Sequence, residues 1–259
     1  MNASVKIATP ISSIFKKPKE AAEIVDMSGA LETRDIAQKV KSELPRLYHS
    51  DFEIAQVWGG RDVAYLSSLI KKNKVELVSF HLGSCYSEPI VADGMYRPGG
   101  QKLSPDKIIT NAAVNVKKLK NKIGSTTKIA IENNNYFPTG AYEIVTEPTF
   151  INRLLRILNI YLLLDISHAK ITAKNKRLSV FEYIEDLNLS RVRQIHISRP
   201  VEREGLWRDA HEELQPDDWK YFKKVLALCP RIKYATIEYY KDVKKLKLMT
   251  KELKDILDG

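Results

Sequence analysis

The chain has 259 residues, 44% hydrophobic and 29% charged, enough for a full core and fitting one large domain or two small ones. Its two cysteines, Cys85 and Cys229, stand far apart in no ligand spacing, which argues against a disulfide framework and suits a reducing compartment. The net charge of +10 admits anionic partners, but the lysines fall mostly in stretches such as 117–122 and 241–254, where they alternate with apolar residues as on a solvated helix face. The first ten residues lack the apolar core of a signal peptide, and no apolar run approaches the roughly 18 residues of a membrane span. A cytoplasmic protein with no membrane partner is expected.

Strand and helix patterns alternate along the chain. Val5 to Ala8 reads as a first short strand and Ala22 to Met27 as a second, ending at Ser28 and Gly29. Thr33 to Leu44 reads as a helix. Arg46 to Phe52 is a weak third strand containing His49, Arg61 to Lys72 a helix, and Val75 to Phe80 a fourth strand running into His81. The polar stretch Leu82 to Ser104 has the length of a lid or binding loop. Cys85, inside it, reads as a small core residue rather than a nucleophile. Pro105 to Ile123 is a helix with Ser104 as cap and Pro105 at its first position. Lys128 to Ile131 is the fifth strand, and Glu147 to Leu158 a helix with Thr146 as cap.

The sixth strand, Ile160 to Leu164, is an apolar run of the kind buried on both faces, and it ends in Asp165 with His168 three residues on. Phe181 to Leu187 is a short helix, and Val192 to Ile197 the seventh strand, carrying His196. Ser198 to Pro216 reads as a second long polar loop holding Asp209 and His211. Asp217 to Leu228 is a helix, Tyr234 to Ile237 the eighth strand with Glu238 directly after it, and Val243 to Leu257 the closing helix. Eight strands separated mostly by helices imply an α/β fold with a parallel sheet closed into a (β/α)8 TIM barrel, one domain over residues 1–259. A doubly wound open sheet is the alternative, because the third strand is weak.

What ends these strands is chemically coherent. His49, His81, Glu132, Asp165, His168, His196, Asp209, His211 and Glu238 would all meet at one barrel mouth, and this set contains all five histidines of the chain. Imidazole nitrogen with carboxylate oxygen suits zinc, iron or manganese, and clustered carboxylates need multiply charged cations as partners. Asp209 and His211, two residues apart, face one way in an extended segment. Asn133, Asn134, Asn135 and Tyr136 follow Glu132 and are placed to orient ligands or touch substrate, although turn formation explains such asparagines equally well. Arg199, Arg203 and Arg208 lie in the loop beside His211, where they either bind an anionic group or are simply solvated.

The order His, His, Glu, Asp-x-x-His, His, Asp-x-His, Glu resembles the trinuclear site of xylose-isomerase-like barrels, including endonuclease IV. A closer resemblance is to the multinuclear non-heme iron oxidative enzymes (methanobactin-maturation-like), which modify ribosomally made peptides. It covers about residues 130–240 and is carried by Glu132-Asn133, Leu162-Leu163-Leu164-Asp165, Ala173 with Asn175, Tyr183-Ile184, Arg191-Val192-Arg193-Gln194-Ile195-His196, Asp209-x-His211 and Thr236-Ile237-Glu238. The resemblance implies two or three metal ions, iron foremost. His49, His81 and Glu132 would hold one, Glu132, Asp165, His196 and Glu238 a second, and His168, Asp209 and His211 a third, with Glu132, Asp165 and Glu238 at the centre of catalysis. It further implies a peptide substrate oxidised at a side chain such as Cys, and a separate leader-binding partner protein.

Other readings use the same mouth. A metal-dependent sugar or sugar-phosphate isomerase or epimerase would move a proton with Glu132 and Glu238, but leaves His168 and Asp209 surplus. A phosphodiesterase acting on nucleic acid would draw on the positive charge, yet no wedge residues for a damaged base stand out. A metal-binding scaffold without turnover is the remaining possibility.

Overall fold

The computed structural model describes residues 5–35 and 40–259. Its elements run Lys6–Pro10 (β1), Pro18–Asp26 (α1), Ala30–Thr33 (β2), Arg46–Glu53 (β3), Gly60–Lys72 (α2), Val75–His81 (β4), Ile90–Ala92 (β5), Met95–Arg97 (β6), Pro105–Ile123 (α3), Lys128–Glu132 (β7), Pro148–Leu158 (α4), Tyr161–Asp165 (β8), Ile166–Lys176 (α5), Val180–Glu185 (α6), Val192–Ile197 (β9), Arg199–Arg203 (β10), Leu206–Glu212 (β11), Pro216–Ala227 (α7), Tyr234–Ile237 (β12) and Val243–Asp258 (α8). Eight of the strands close a barrel in the order β1-β12-β9-β8-β7-β4-β3-β2, every pairing parallel. Parallel neighbours require crossovers, and the helices supply them on the outside. This is the expected TIM barrel, and the weak third strand is a full member of it.

Local chemistry sets the helix starts. Proline opens α1, α3, α4 and α7, where a missing N–H costs nothing. Ser104 caps α3 by accepting from Lys107 N at 3.2 Å. Asp165 caps α5 by accepting from His168 N at 2.7 Å, so the chain passes from β8 into a helix without a loop.

The barrel interior is layered with the two-residue period of a strand. Ala8, Ala30, Leu47, Leu77, Ala130, Leu163 and Tyr234 form a compact apolar layer low in the barrel. Two residues further along the same strands come Pro10, Glu32, His49, Ser79, Glu132, Asp165 and Thr236, and these form the layer at the mouth.

Four sequence expectations are corrected. The second barrel strand is Ala30–Thr33, whereas Ala22–Met27 belongs to α1. The proline at residue 18, an acid at Glu20 in the first turn and a single buried side chain, Ile24, make that segment a helix. The expected helix over Thr33 to Leu44 is not present in its described part: Thr33 ends β2, residues 40–44 carry no helix, and 36–39 lie outside the described residues. The stretch 82–104 carries an antiparallel pair, β5 with β6. The stretch 198–216 likewise contains the antiparallel hairpin of β10 and β11 rather than an irregular loop. No helix among the described residues is long and apolar enough to cross a membrane.

Candidate metal centre

All nine side chains expected at the mouth are brought together. Glu132, at the tip of β7, is buried at their centre: its Oε2 lies 2.8 Å from His81 Nδ1 and 3.5 Å from His49 Nε2, and its Oε1 3.6 Å from His196 Nδ1 and 3.8 Å from His168 Nδ1. His168 Nε2 is 3.6 Å from Asp209 Oδ2 and 4.0 Å from Asp165 Oδ2. His211 Nε2 sits between Asp209 Oδ2 at 3.2 Å and Glu238 Oε2 at 3.1 Å. Asp209 and His211 do face one way, as their spacing implies, because both lie on β11. His211 holds a left-handed backbone, φ 46°, an uncommon state for a non-glycine residue and one that clusters at functional positions.

Among the described residues, three sets of ligand atoms lie within 4.8 Å of one another: His49, His81 and Glu132; Glu132, Asp165 and His168; and Glu32, His196 and Glu238. The donor set suits metal ions on two further grounds. Glu132 Oε2, Asp165 Oδ2, Asp209 Oδ1 and His196 Nδ1 are buried without a hydrogen-bond partner, which a native interior rarely tolerates. Second, the rings are oriented from behind. His168 Nδ1 faces the Asn133 carbonyl at 3.0 Å and must donate to it, so Nε2 is left to face the carboxylates. His49 Nδ1 is engaged by Ser79 Oγ at 2.8 Å, which leaves Nε2 toward Glu132. Supported imidazoles of this kind are the habit of metal ligands.

The electrostatics agree. Burial opposes charge on every group, yet the histidines around Glu132 outweigh it and hold that carboxyl below its ordinary range. Asp165 goes the other way: burial, aided by Glu132, Glu238 and Asp209, outweighs His168 and raises it to about 7. Burial would lower His168 and His196, but their acidic neighbours push both well above 6.5. Burial together with Arg34 lowers His49 instead. The mouth is a cluster of carboxylates that demands positive charge.

The residues considered for substrate contact divide. Asn133 is fully buried, its Oδ1 accepting from Asp165 N at 2.8 Å and its Nδ2 donating to Asp165 O at 2.9 Å, so it supports β8 instead of facing a ligand. Tyr136 lies under the Lys176 ammonium, 4.6 Å from the ring centre, and is not among the residues lining the mouth. Arg199 pairs with Asp218 at 2.7 Å, and half-buried Arg208 reaches toward Asp93 O at 3.5 Å; neither lines the mouth cavity. Cys85 is buried in the core, as expected.

Glu32 and Arg34 are mouth residues that escaped the sequence reading. Glu32, fully buried on β2, receives His196 Nε2 at 2.9 Å. Arg34 lines the cavity, pairs with Glu32 Oε1 at 3.0 Å and contacts Glu238. The signal for Glu32 was present: Ala30-Leu31-Glu32 repeats the pattern of Ala130-Ile131-Glu132. The cavity, about 500 Å³, is walled by Pro10, Ile11, Arg34 and Tyr240 above the His and carboxylate floor.

Solved structures share this architecture. The 3-keto-D-glucoside 4-epimerase YcjR of E. coli superposes with a TM-score of 0.63 at 12% identity, over 98% of this chain and 100% of that one. A magnesium-bound xylose isomerase-like TIM barrel protein of Mycobacterium smegmatis gives 0.56 at 12% identity, over 98% of both chains. At such identity the likeness is one of fold. In sequence, a UPF0276 protein of Rhizobium meliloti (strain 1021) is 26% identical over 174 residues, 64% of this chain and 54% of that protein. One from Caulobacter vibrioides is 28% identical over 96 residues, 37% of this chain and 34% of its own length. The chain thus spans about half the length, or less, of these curated relatives. The family model described as "RiPP precursor modification enzyme MbnB/TglH/ChrH" matches residues 59–258, most of the chain and most of the mouth residues. With its xylose-isomerase-like barrel, the chain belongs to the MbnB/TglH/ChrH family of enzymes that modify ribosomally made precursor peptides.

Proposed function

We propose that the protein is a multinuclear iron enzyme that oxidises a side chain, a cysteine being the first candidate, of a ribosomally made peptide. The observation that carries the reading is the donor set: imidazole nitrogens turned by supporting contacts toward buried carboxylate oxygens that have no hydrogen-bond partner. His49, His81 and Glu132 would hold one ion, Glu132, Asp165, His196 and Glu238 a second, and His168, Asp209 and His211 a third. Bound iron would supply one-electron redox chemistry and access to dioxygen.

The chain's own residues do the rest. Glu132 reaches four histidines from one carboxylate and so spaces the group. Pro10 and Ile11 give the cavity an apolar wall that limits water beside a bound side chain. Tyr240 Oη donates to Glu238 Oε1 at 3.1 Å and holds that carboxylate in place. A cavity of about 500 Å³ takes a side chain and its immediate backbone. Recognition of the remaining peptide therefore falls to surfaces outside the mouth, and a separate leader-binding partner belongs to this proposal.

The test is metal content and oxidation state of protein purified without oxygen and without added metal, by elemental analysis and Mössbauer spectroscopy. Two or three irons per chain, partly ferric and spin-coupled, are expected. Zinc or manganese with little iron overturns the oxidative reading, and sugar phosphates and abasic DNA then become the substrates to assay.

A further inference from the structure

Glu32, His196 and Glu238 offer ligand atoms within 4.8 Å of one another and, taken alone, could themselves hold an ion. The surroundings of Glu32 point elsewhere. Its Oε2 accepts from His196 Nε2 at 2.9 Å and from Gln194 Nε2 at 2.5 Å, and Gln194 is fixed in turn on Thr236 Oγ1 at 2.9 Å. Its Oε1 lies 3.0 Å from Arg34 Nη2. A guanidinium, always charged in proteins, thus stands where an ion between Glu32 and Glu238 would have to be. The carboxylate can only accept, and the Gln194 amide, also 2.9 Å from His196 Nε2, spends its two hydrogens on Glu32 and Thr236, so His196 Nε2 carries the proton. In the neutral ring the lone pair is then on Nδ1, which is buried, lacks a partner, and faces Glu238 Oε1 at 3.3 Å and Glu132 Oε1 at 3.6 Å. A lone pair aimed at two carboxylates is repulsive unless a second proton or a cation lies between them.

We propose that Glu32 is a positioning residue, charge-matched by Arg34, that turns His196 so that Nδ1 and not Nε2 is its metal-facing atom. The inference rests on the metal reading above but not on iron or on oxidation. A carboxylate behind a ligating imidazole fixes its tautomer and raises its basicity. Arg34 adds a second task here, because the same Nη2 also contacts Glu238 and so ties a mouth carboxylate to the supporting pair.

The test uses full-length protein under anaerobic conditions, titrated separately with Fe(II) and Zn(II), with equivalents counted by elemental analysis and affinities read by chelator competition. The wild type is compared with Glu32→Gln, Arg34→Met and the double variant. Glu32→Gln should keep the wild-type number of equivalents, with one of them held about 10- to 100-fold more weakly. Arg34→Met should gain no equivalent. The double variant, which removes the pair of charges together, should lie nearer to wild type than the two single effects combined. Loss of a whole equivalent in Glu32→Gln, or a gain of one in Arg34→Met, makes Glu32 a ligand and overturns the proposal. If either variant fails to fold, anomalous diffraction from the wild-type metal complex decides. An ion against His196 Nδ1, with Glu32 outside bonding distance, supports the proposal, and an ion against Nε2 and Glu32 overturns it. Wild-type protein that takes zinc but no iron sinks the oxidative reading while leaving this one to the zinc counts.

Discussion

The two layers inside the barrel are built on the same strands and differ in almost everything else. The lower one is Ala, Leu and Tyr with no ionised group, whereas the upper one, two residues along, carries Glu32, His49, Glu132 and Asp165. Pleating alone separates them, since residues i and i+2 share a face and differ in height by roughly 7 Å. The lower layer removes apolar surface from water and closes the barrel. The upper layer concentrates like charges at a cost that only paired protons or cations offset. Stability and chemistry are thus stacked rather than intermingled, and each should be removable with the other left in place.

The largest expected effect tests the upper layer. Glu132→Gln should abolish metal retention, a loss exceeding the roughly 10- to 100-fold caused by removing a supporting contact, while circular dichroism of the metal-free protein stays native. If that variant unfolds, the separation of layers is wrong. Leu163→Ala, in the lower layer and fully buried, should show the converse. It should cost about 2–5 kcal/mol in denaturant unfolding, with metal equivalents per folded chain unchanged. Asn133→Ala sits between the two, since both amide atoms grip the Asp165 backbone. It should weaken metal binding about 10- to 100-fold by chelator competition.

The smallest effect is a pH dependence of opposite sign in the two forms. Burial lowers His168, His196 and His211, but Asp165 beside the first, Glu32 beside the second and Glu238 beside the third outweigh it and raise all three above 6.5. Each therefore stabilises the metal-free fold fully below that value, and the stabilisation is lost as pH rises through the raised pKa. Protons and metal compete for the same nitrogens, so metal binding tightens over the same range. Melting of the metal-free protein should drop from about pH 6.5 into the alkaline range, and the increment produced by zinc should grow. Parallel curves for both forms would show that these histidines are not where metal binds.

The sequence made the upper layer legible where an apolar run announced its strand. Lys128–Glu132, Tyr161–Asp165 and Val192–Ile197 each end in, or next to, the residue that matters, because strands buried on both faces leave no room for polar residues until the mouth. Glu32 was hidden by scale. Its strand has four residues, and the nearby Ile24-Val25 looks more strand-like than Ala30-Leu31. What decides between them is tertiary: β2 pairs with β1 and β3 on either side, a fact no local window contains. The hairpin of β10 and β11 was missed for the same reason. Asn175, on a different element, grips Trp207 from both sides of its peptide backbone, donating to the carbonyl at 3.0 Å and accepting from the N–H at 2.8 Å. Asp209 and His211 were nevertheless legible, since their spacing needs only an extended backbone.

That grip on Trp207 has an optical consequence. The indole lies near the ammonium groups of Lys170 and Lys174, 5.7 and 5.9 Å from its ring centre, and two residues before Asp209 on the strand. The other two tryptophans, Trp58 and Trp219, are buried in the core and supply a steady background. Emission from this protein is therefore weighted toward whether the β10–β11 arm is seated on α5. A stopped-flow trace at the indole wavelength would time the arrival of Asp209 and His211 separately from events inside the barrel.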